Sequence, residues 1–379
     1  MAEPLPETAA APDLATPDLA APDLPAPDRA AKDLPAPDRA AKDLPAPDRA
    51  ATTPAAICIG EAMIMLAGET GAPLEDVETF RRSVGGAECN VSGGLAALDI
   101  PTGWISRLGD DGFGRHVLRD LQKRGVEVGG VEIDPDRPTA MYVKESRGGR
   151  SRMHYYRTGS AASAMTPSFL DRPTVRDRLA QAKLVHTTGI TAAISDTAAL
   201  MLDSLAEQQH DFTLSVDLNW RPALWRDKDP APLWRLLRAA DVVLIGADEA
   251  LVFAGTKDPD ELRELLGPRS TLVLKDDAHT ALVLEPDGRR TEVPALTVEV
   301  VEPVGAGDAF AAGFLAGTLQ GLPMEQRLRL GHLGAAAVLA VPEDHAAPLD
   351  PAVRQALLTC SDEEWVATHV GPAGVKTAA

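Results

Sequence analysis

Strand-like runs recur along the chain at residues 56–60, 102–106, 184–188, 213–217, 242–245, 272–274 and 281–284, the first of them, Ala56-Ile-Cys-Ile-Gly60, apolar up to its closing glycine. Runs of this kind read as buried strands. Between them, at 112–124, 198–208 and 232–239, the apolar positions return at helical spacing and give one buried face. Regular alternation of strand and helix predicts an α/β fold, with a doubly wound, mainly parallel sheet covered by helices on both faces. Ligands in such sheets sit beyond the carboxyl ends of the strands, so functional residues should follow the apolar runs. Two segments of period two, 139–144 and 152–157, joined through Ser146-Arg-Gly-Gly149, read as a hairpin.

The pattern is absent before residue 55. Residues 1–54 hold 12 of the 31 prolines and no Phe, Trp, Tyr, Val or Ile, and the decapeptide Asp23-Leu-Pro-Ala-Pro-Asp-Arg-Ala-Ala-Lys32 repeats from Asp33 and again from Asp43. One Leu per repeat cannot build a stacking core, so a disordered Pro/Ala/Asp-rich tail is expected for 1–54. A single domain should fill 55–360, followed by a C-terminal tail at 361–379.

Composition narrows the partners. The 379 residues carry 56 Asp and Glu against 37 Lys and Arg, a formal charge of −19. No basic stripe offers a nucleic-acid footprint, and no apolar run approaches a membrane span or a secretory signal. Three cysteines without a paired spacing argue against a disulfide framework or a Cys-built zinc site, and a reducing, cytoplasmic setting is expected.

The strongest chemical signal is Val304-Gly-Ala-Gly-Asp-Ala-Phe-Ala-Ala-Gly-Phe-Leu-Ala-Gly317. Gly305, Ala306 and Gly307 lead into an apolar helix expected to begin near Asp308, and free amides at a helix start hold anions. Asp308 is either the N-cap of that helix or a base beside an anion hole. Gly85-Gly-Ala-Glu-Cys-Asn90 is a second small-residue turn, either close packing or a loop that bonds a polyol through its backbone and Asn90. The tyrosines Tyr142, Tyr155 and Tyr156 fall in the hairpin with Arg157 next to them; they are either sheet residues or a sugar-acid site in which the guanidinium grips a carboxylate. Arg221, in Asp217-Leu-Asn-Trp-Arg-Pro222, follows a strand and is either a second grip on such an acid or the partner of a surface carboxylate. The turn at 109–114 holds two acids and reads as structural.

At these motifs the chain resembles the ribokinase-like (PfkB) carbohydrate kinases, over residues 55–350. Within that family, Gly86-Ala-Glu-Cys-Asn90, Tyr155-Tyr-Arg157, His186-Thr-Thr-Gly-Ile190, Asp217-Leu-Asn-Trp-Arg-Pro222 and Glu302-Pro-Val-Gly-Ala-Gly-Asp308 are most similar to kinases of 2-dehydro-3-deoxygluconate. The resemblance implies a ribokinase-like fold with a small β-sheet lid, drawn from about 66–84 and 134–160, that also forms a homo-oligomer. It implies ATP- and Mg²⁺-dependent phosphorylation of the 6-hydroxyl of the sugar acid. Asp308 would be the catalytic base and Gly305, Ala306 and Gly307 the anion hole. Gly85, Gly86, Asn90, Tyr142, Tyr155, Arg157 and Arg221 would bind substrate. Glu249, Lys275, Asp277, Gly305 and Gly307 would bind nucleotide, with Glu249 also serving Mg²⁺ indirectly.

Three departures touch the nucleotide side. The family's Asn-x-x-Glu is Gly246-Ala-Asp-Glu249 here, its Lys-x-Gly-x-x-Gly is Lys275-Asp-Asp-Ala-His-Thr280, and its late Gly-Asp is Glu343-Asp344. Two other readings therefore stand beside the sugar-acid kinase. One is a kinase for a neutral sugar such as fructose or for another deoxy-keto acid. The other is a sugar-acid-binding regulator with weak catalysis.

Overall fold

The computed structural model describes residues 53–68, 71–147 and 150–376. The expected N-terminal tail lies outside these residues, apart from its last two positions. In chain order the strands are β1 (Ala56–Ile59), β2 (Met63–Gly68), β3 (Phe80–Gly85), β4 (Thr102–Gly109), β5 (Glu127–Asp134), β6 (Met141–Arg147), β7 (Arg150–Tyr156) and β8 (Leu184–Thr188). They continue with β9 (Thr213–Asp217), β10 (Val242–Gly246), β11 (Thr271–Asp276), β12 (Thr280–Leu284) and β13 (Arg290–Pro294). Nine of them form one sheet in the order β13-β12-β11-β10-β9-β8-β1-β4-β5. From β11 to β5 every pairing is parallel, and β12 and β13 add an antiparallel edge.

The apolar runs are strands because both faces of the sheet are covered. Val242 and Leu244 belong to one core with Trp104, Phe314 and Leu330; Val243 and Ile245 belong to the other with Leu202, Leu214 and Leu236. Alternate residues of one strand thus feed opposite cores, as the period of two requires. The helices Ala87–Ala97, Ala306–Leu319 and Met324–Leu339 cover the first face; Asp196–Glu207 and Ala231–Ala239 cover the second.

A separate four-stranded sheet has the order β3-β2-β6-β7, with β2 and β6 parallel and the outer pairs antiparallel. It occupies the segments assigned to the lid, with shifted limits. Residue 134 ends β5 in the large sheet, so the second lid segment starts at Met141. The expected hairpin is present as β6–β7, whose register pairs Tyr142 with Tyr155.

Two expectations are corrected. Residues 361–376 are not a tail: Asp362–Val366 is a helix, and β15 (His369–Gly371) pairs with β14 (Thr297–Val298) and β16 (Gly374–Lys376). Trp365 anchors this segment, fully buried, with its indole nitrogen donating to the Pro294 carbonyl at 2.8 Å. The second correction concerns the helix after the glycine turn, which starts at Ala306 rather than at Asp308. By contrast, the acidic turn at 109–114 is structural as read: Asp111 caps Gly112–Lys123 and accepts from the Gly114 amide at 2.7 Å.

Candidate active site

Gly305 is the N-cap of Ala306–Leu319 and adopts the left-handed region at φ 86°. A Cβ there would lie 2.3 Å from the Asp344 carbonyl oxygen, so glycine is required on two counts. Asp308 is the third residue of the helix, not its cap, because Gly305 takes the capping position. The first amides of that helix have no acceptor within it; Ala306 N makes only a long turn contact of 3.4 Å to the Pro303 carbonyl. Asp308 accepts a hydrogen bond from Asn90 Nδ2 at 2.9 Å. Burial pushes its carboxyl up to about 7, against the Asn90 bond, and the Asp217 charge adds to the rise.

Asn90 reaches Asp308 because Ala87–Ala97 begins at Gly86, whose φ is 144° and whose Cβ would meet the Glu61 carbonyl at 2.4 Å. Glu88 fixes the same turn from beneath. Its Oε1 accepts from the Thr188 amide at 3.0 Å and from the Thr188 and Thr191 hydroxyls at 2.7 Å each. Burial raises the Glu88 carboxyl, and the hydroxyl and amide bonds oppose the rise.

A second group lies beyond the ends of β9, β10 and β11. Lys275 donates to Asp217 Oδ2 at 2.7 Å, and its Nζ lies 3.9 Å from where a Cβ on Gly307 would stand. Burial works to depress this ammonium, yet the carboxylates of Asp217 and Glu249 outweigh it and raise it. Glu249 accepts from Arg221 Nη1 at 2.8 Å; burial raises its carboxyl, as does Asp217. Asp277 holds φ 41° in the β11–β12 turn, so this chain keeps a glycine-like turn with an aspartate.

The third group sits under the small sheet. Tyr142 packs on Tyr155 with ring centroids 5.5 Å apart, and its hydroxyl donates to Asp344 Oδ2 at 3.3 Å. A Cβ on Gly85 would come within 2.5 Å of that hydroxyl. The Arg157 guanidinium lies over the Tyr155 ring at 5.6 Å and pairs with Glu61, which also accepts from Ser160 Oγ at 3.0 Å. Each of the two arginines pairs with a carboxylate of its own, Arg157 with Glu61 and Arg221 with Glu249.

Several residues of these groups were not singled out from the sequence. Asp217, Glu88 and Thr188 stand inside motifs that were read for other residues, and Asp344 was noted only as a departure. Glu61 follows directly on the first apolar run, where the strand-end rule does point.

An acid, helix-start amides and an ammonium thus lie near the carboxyl ends of a doubly wound sheet, where ligands of such folds sit. Residues 54–349 match the model of the pfkB family carbohydrate kinases. The 2-dehydro-3-deoxygluconokinase of Thermoproteus tenax is 36% identical over 312 residues, covering 80% of this chain and 93% of that protein. The 2-dehydro-3-deoxygluconokinase of Bacillus subtilis is 32% identical over 306 residues, covering 76% and 90%. Among solved structures, a PfkB protein from Polaromonas sp. JS666 is 32% identical with a TM-score of 0.66, covering 76% of this chain and 97% of that one. The chain belongs to the pfkB family and is a carbohydrate kinase. Among the described residues no helix is long and apolar enough to cross a membrane.

Proposed function

We propose that the protein phosphorylates the 6-hydroxyl of 2-dehydro-3-deoxygluconate with ATP. One observation carries the reading: Asp308, with its carboxyl pushed up to about 7, stands in the first turn of a helix whose free amides face the same region. A base of that strength takes a hydroxyl proton near neutral pH. The amides of Gly305, Ala306, Gly307 and Asp308 hold the transferring phosphoryl group, and Lys275 adds a positive charge beside Gly307. The similarity to two 2-dehydro-3-deoxygluconokinases supports the sugar acid.

Gly85, Gly86, Asn90, Tyr142, Tyr155 and Arg157 bind the sugar, Arg157 taking its carboxylate. Arg221, Glu249, Lys275 and Asp277 serve the nucleotide. Mg²⁺ travels with ATP. An ion of this kind is held by phosphates and water with one or two carboxylates. Asp217 has a buried, unpartnered Oδ1, and it and Glu249 are the carboxylates that would hold the ion, which neutralises phosphate charge when bound. The small sheet is the lid that excludes water from the transfer. Its Phe80 and Tyr156, 39% and 61% exposed, support association of two copies through this sheet, a point for light scattering to decide.

A neutral-sugar kinase remains the second reading, because Glu61 already balances the charge of Arg157. The test is ADP release with Mg-ATP on the keto-deoxy acid, its galacto epimer, gluconate, fructose and ribose. Turnover on the keto-deoxy acid is expected; turnover on fructose alone would overturn the reading. Binding of the acid without turnover would make the protein a sensor instead.

A further inference from the structure

The small sheet is tied to the glycine turn by two side chains of one strand. Tyr142 and Lys144 stand two positions apart on β6 and so share a face. Both are buried, at 6% and 8% exposure. The Lys144 ammonium pairs with the Glu302 carboxylate, whose Oε1 accepts from the Val304 amide at 3.3 Å. Tyr142 bonds Asp344, whose own backbone carbonyl lies against Gly305. One strand therefore grips the turn from both flanks, ahead of it through Glu302 and across from it through Asp344. The Arg81–Glu343 contact of β3, at 3.0 Å, is exposed and adds little.

Glu302 sets a difficulty for an anion site. A carboxylate just before amides meant for a phosphoryl group opposes the binding of that group. The charge of Lys144 cancels this opposition only while β6 rests against the turn. The geometry points to Lys144 as a positioning residue that couples the small sheet to the phosphate turn: by neutralising Glu302 it makes the turn competent for transfer when the sheet lies over the sugar. The inference rests on Gly305–Asp308 being the phosphoryl site, as proposed above. It adds that the strand touching the sugar through Tyr142 also licenses the phosphate side.

The test pairs ATP titration calorimetry, which needs no sugar, with steady-state kinetics on the sugar acid. Lys144→Met should weaken ATP binding and lower kcat by about tenfold each, with KM for the sugar acid within about twofold. Adding Glu302→Gln to that variant should recover at least half of the loss, because the opposing charge is gone; a lysine that merely fills space would give no such rescue. Lys144→Arg should stay near wild type. A double variant no better than Lys144→Met, or a Lys144→Met enzyme equal to wild type, overturns the inference while leaving the kinase reading intact. A wild-type protein that binds no ATP overturns both. If Lys144→Met does not fold, Glu302→Gln alone decides: ATP affinity at or above wild type is expected, and a tenfold fall refutes the coupling.

Discussion

Asp308→Asn separates two roles of one carboxyl group. The side chain keeps its shape, and the bond from Asn90 Nδ2 at 2.9 Å survives because an amide oxygen accepts as a carboxylate oxygen does. Loss of the base should lower kcat by about 10² or more, with sugar binding retained. Stability should move the other way. A carboxyl displaced from 3.8 to about 7 holds its proton more tightly when folded, equivalent to about 4 kcal/mol at most. For a group of this sign the stabilisation is complete at pH below 3.8 and is lost as pH rises to about 7. At pH 8.5 the wild type carries the whole cost of an ionised, desolvated Asp308, and the asparagine variant carries none. The variant should therefore gain about 2–4 kcal/mol over wild type at pH 8.5 relative to the difference at pH 4.5. Urea unfolding at the two pH values, beside ADP release, gives both readouts. A pH-independent stability difference, or kcat within threefold of wild type, would refute the assignment of Asp308 as a buried base.

Further outcomes follow from the same geometry. Wild-type kcat/KM should rise with pH through about 7 as Asp308 loses its proton, and a flat profile from pH 5.5 to 8 would speak against it. Gly305→Ala should abolish turnover while circular dichroism stays native, since its Cβ would meet Asp344 O at 2.3 Å. Lys275→Met leaves the buried Asp217 without its ion-pair partner and should cost about 3 kcal/mol in urea unfolding as well as ATP affinity. Arg157→Ala should raise KM for the sugar acid, whereas Arg221→Ala should raise KM for ATP; the reverse result would exchange their sites.

The strands were the most legible part of the molecule. Leu184–Thr188 and Thr213–Asp217 have the limits expected for them, even though His186, Thr187, Thr188, Ser215 and Asp217 place polar side chains in the buried sheet. The start of the helix at Ala306 was not legible: a left-handed glycine can close a turn or cap a helix, and only the close approach of Asp344 decides between them. Asp308 and Asn90 stood out because glycine turns announce them, but their mutual bond spans 218 positions of sequence and no spacing rule reaches that far. The two arginines illustrate the same limit. Their charge suggested a shared anion, while each pairs with a carboxylate that no spacing rule links to it: Glu61, between β1 and β2, for Arg157, and Glu249, in the helix Ala247–Ala254, for Arg221. The C-terminal segment was misread because a short helix anchored by one Trp lacks the length for a periodic signal.

Placement of β1 has a consequence for how the protein is made. Among the described strands the first to be made, β1, lies between β8 and β4, well inside the sheet, and its neighbours span residues 102–188. The opposite end closes last: β14 at Thr297–Val298 finds its partner only when His369–Val370 has been synthesised. Trp365, fully buried, likewise joins its core late in synthesis. The nascent domain therefore keeps part of its apolar surface uncovered until the segment from Trp365 to Lys376 is made, and that segment acts as the clasp that ends this exposure.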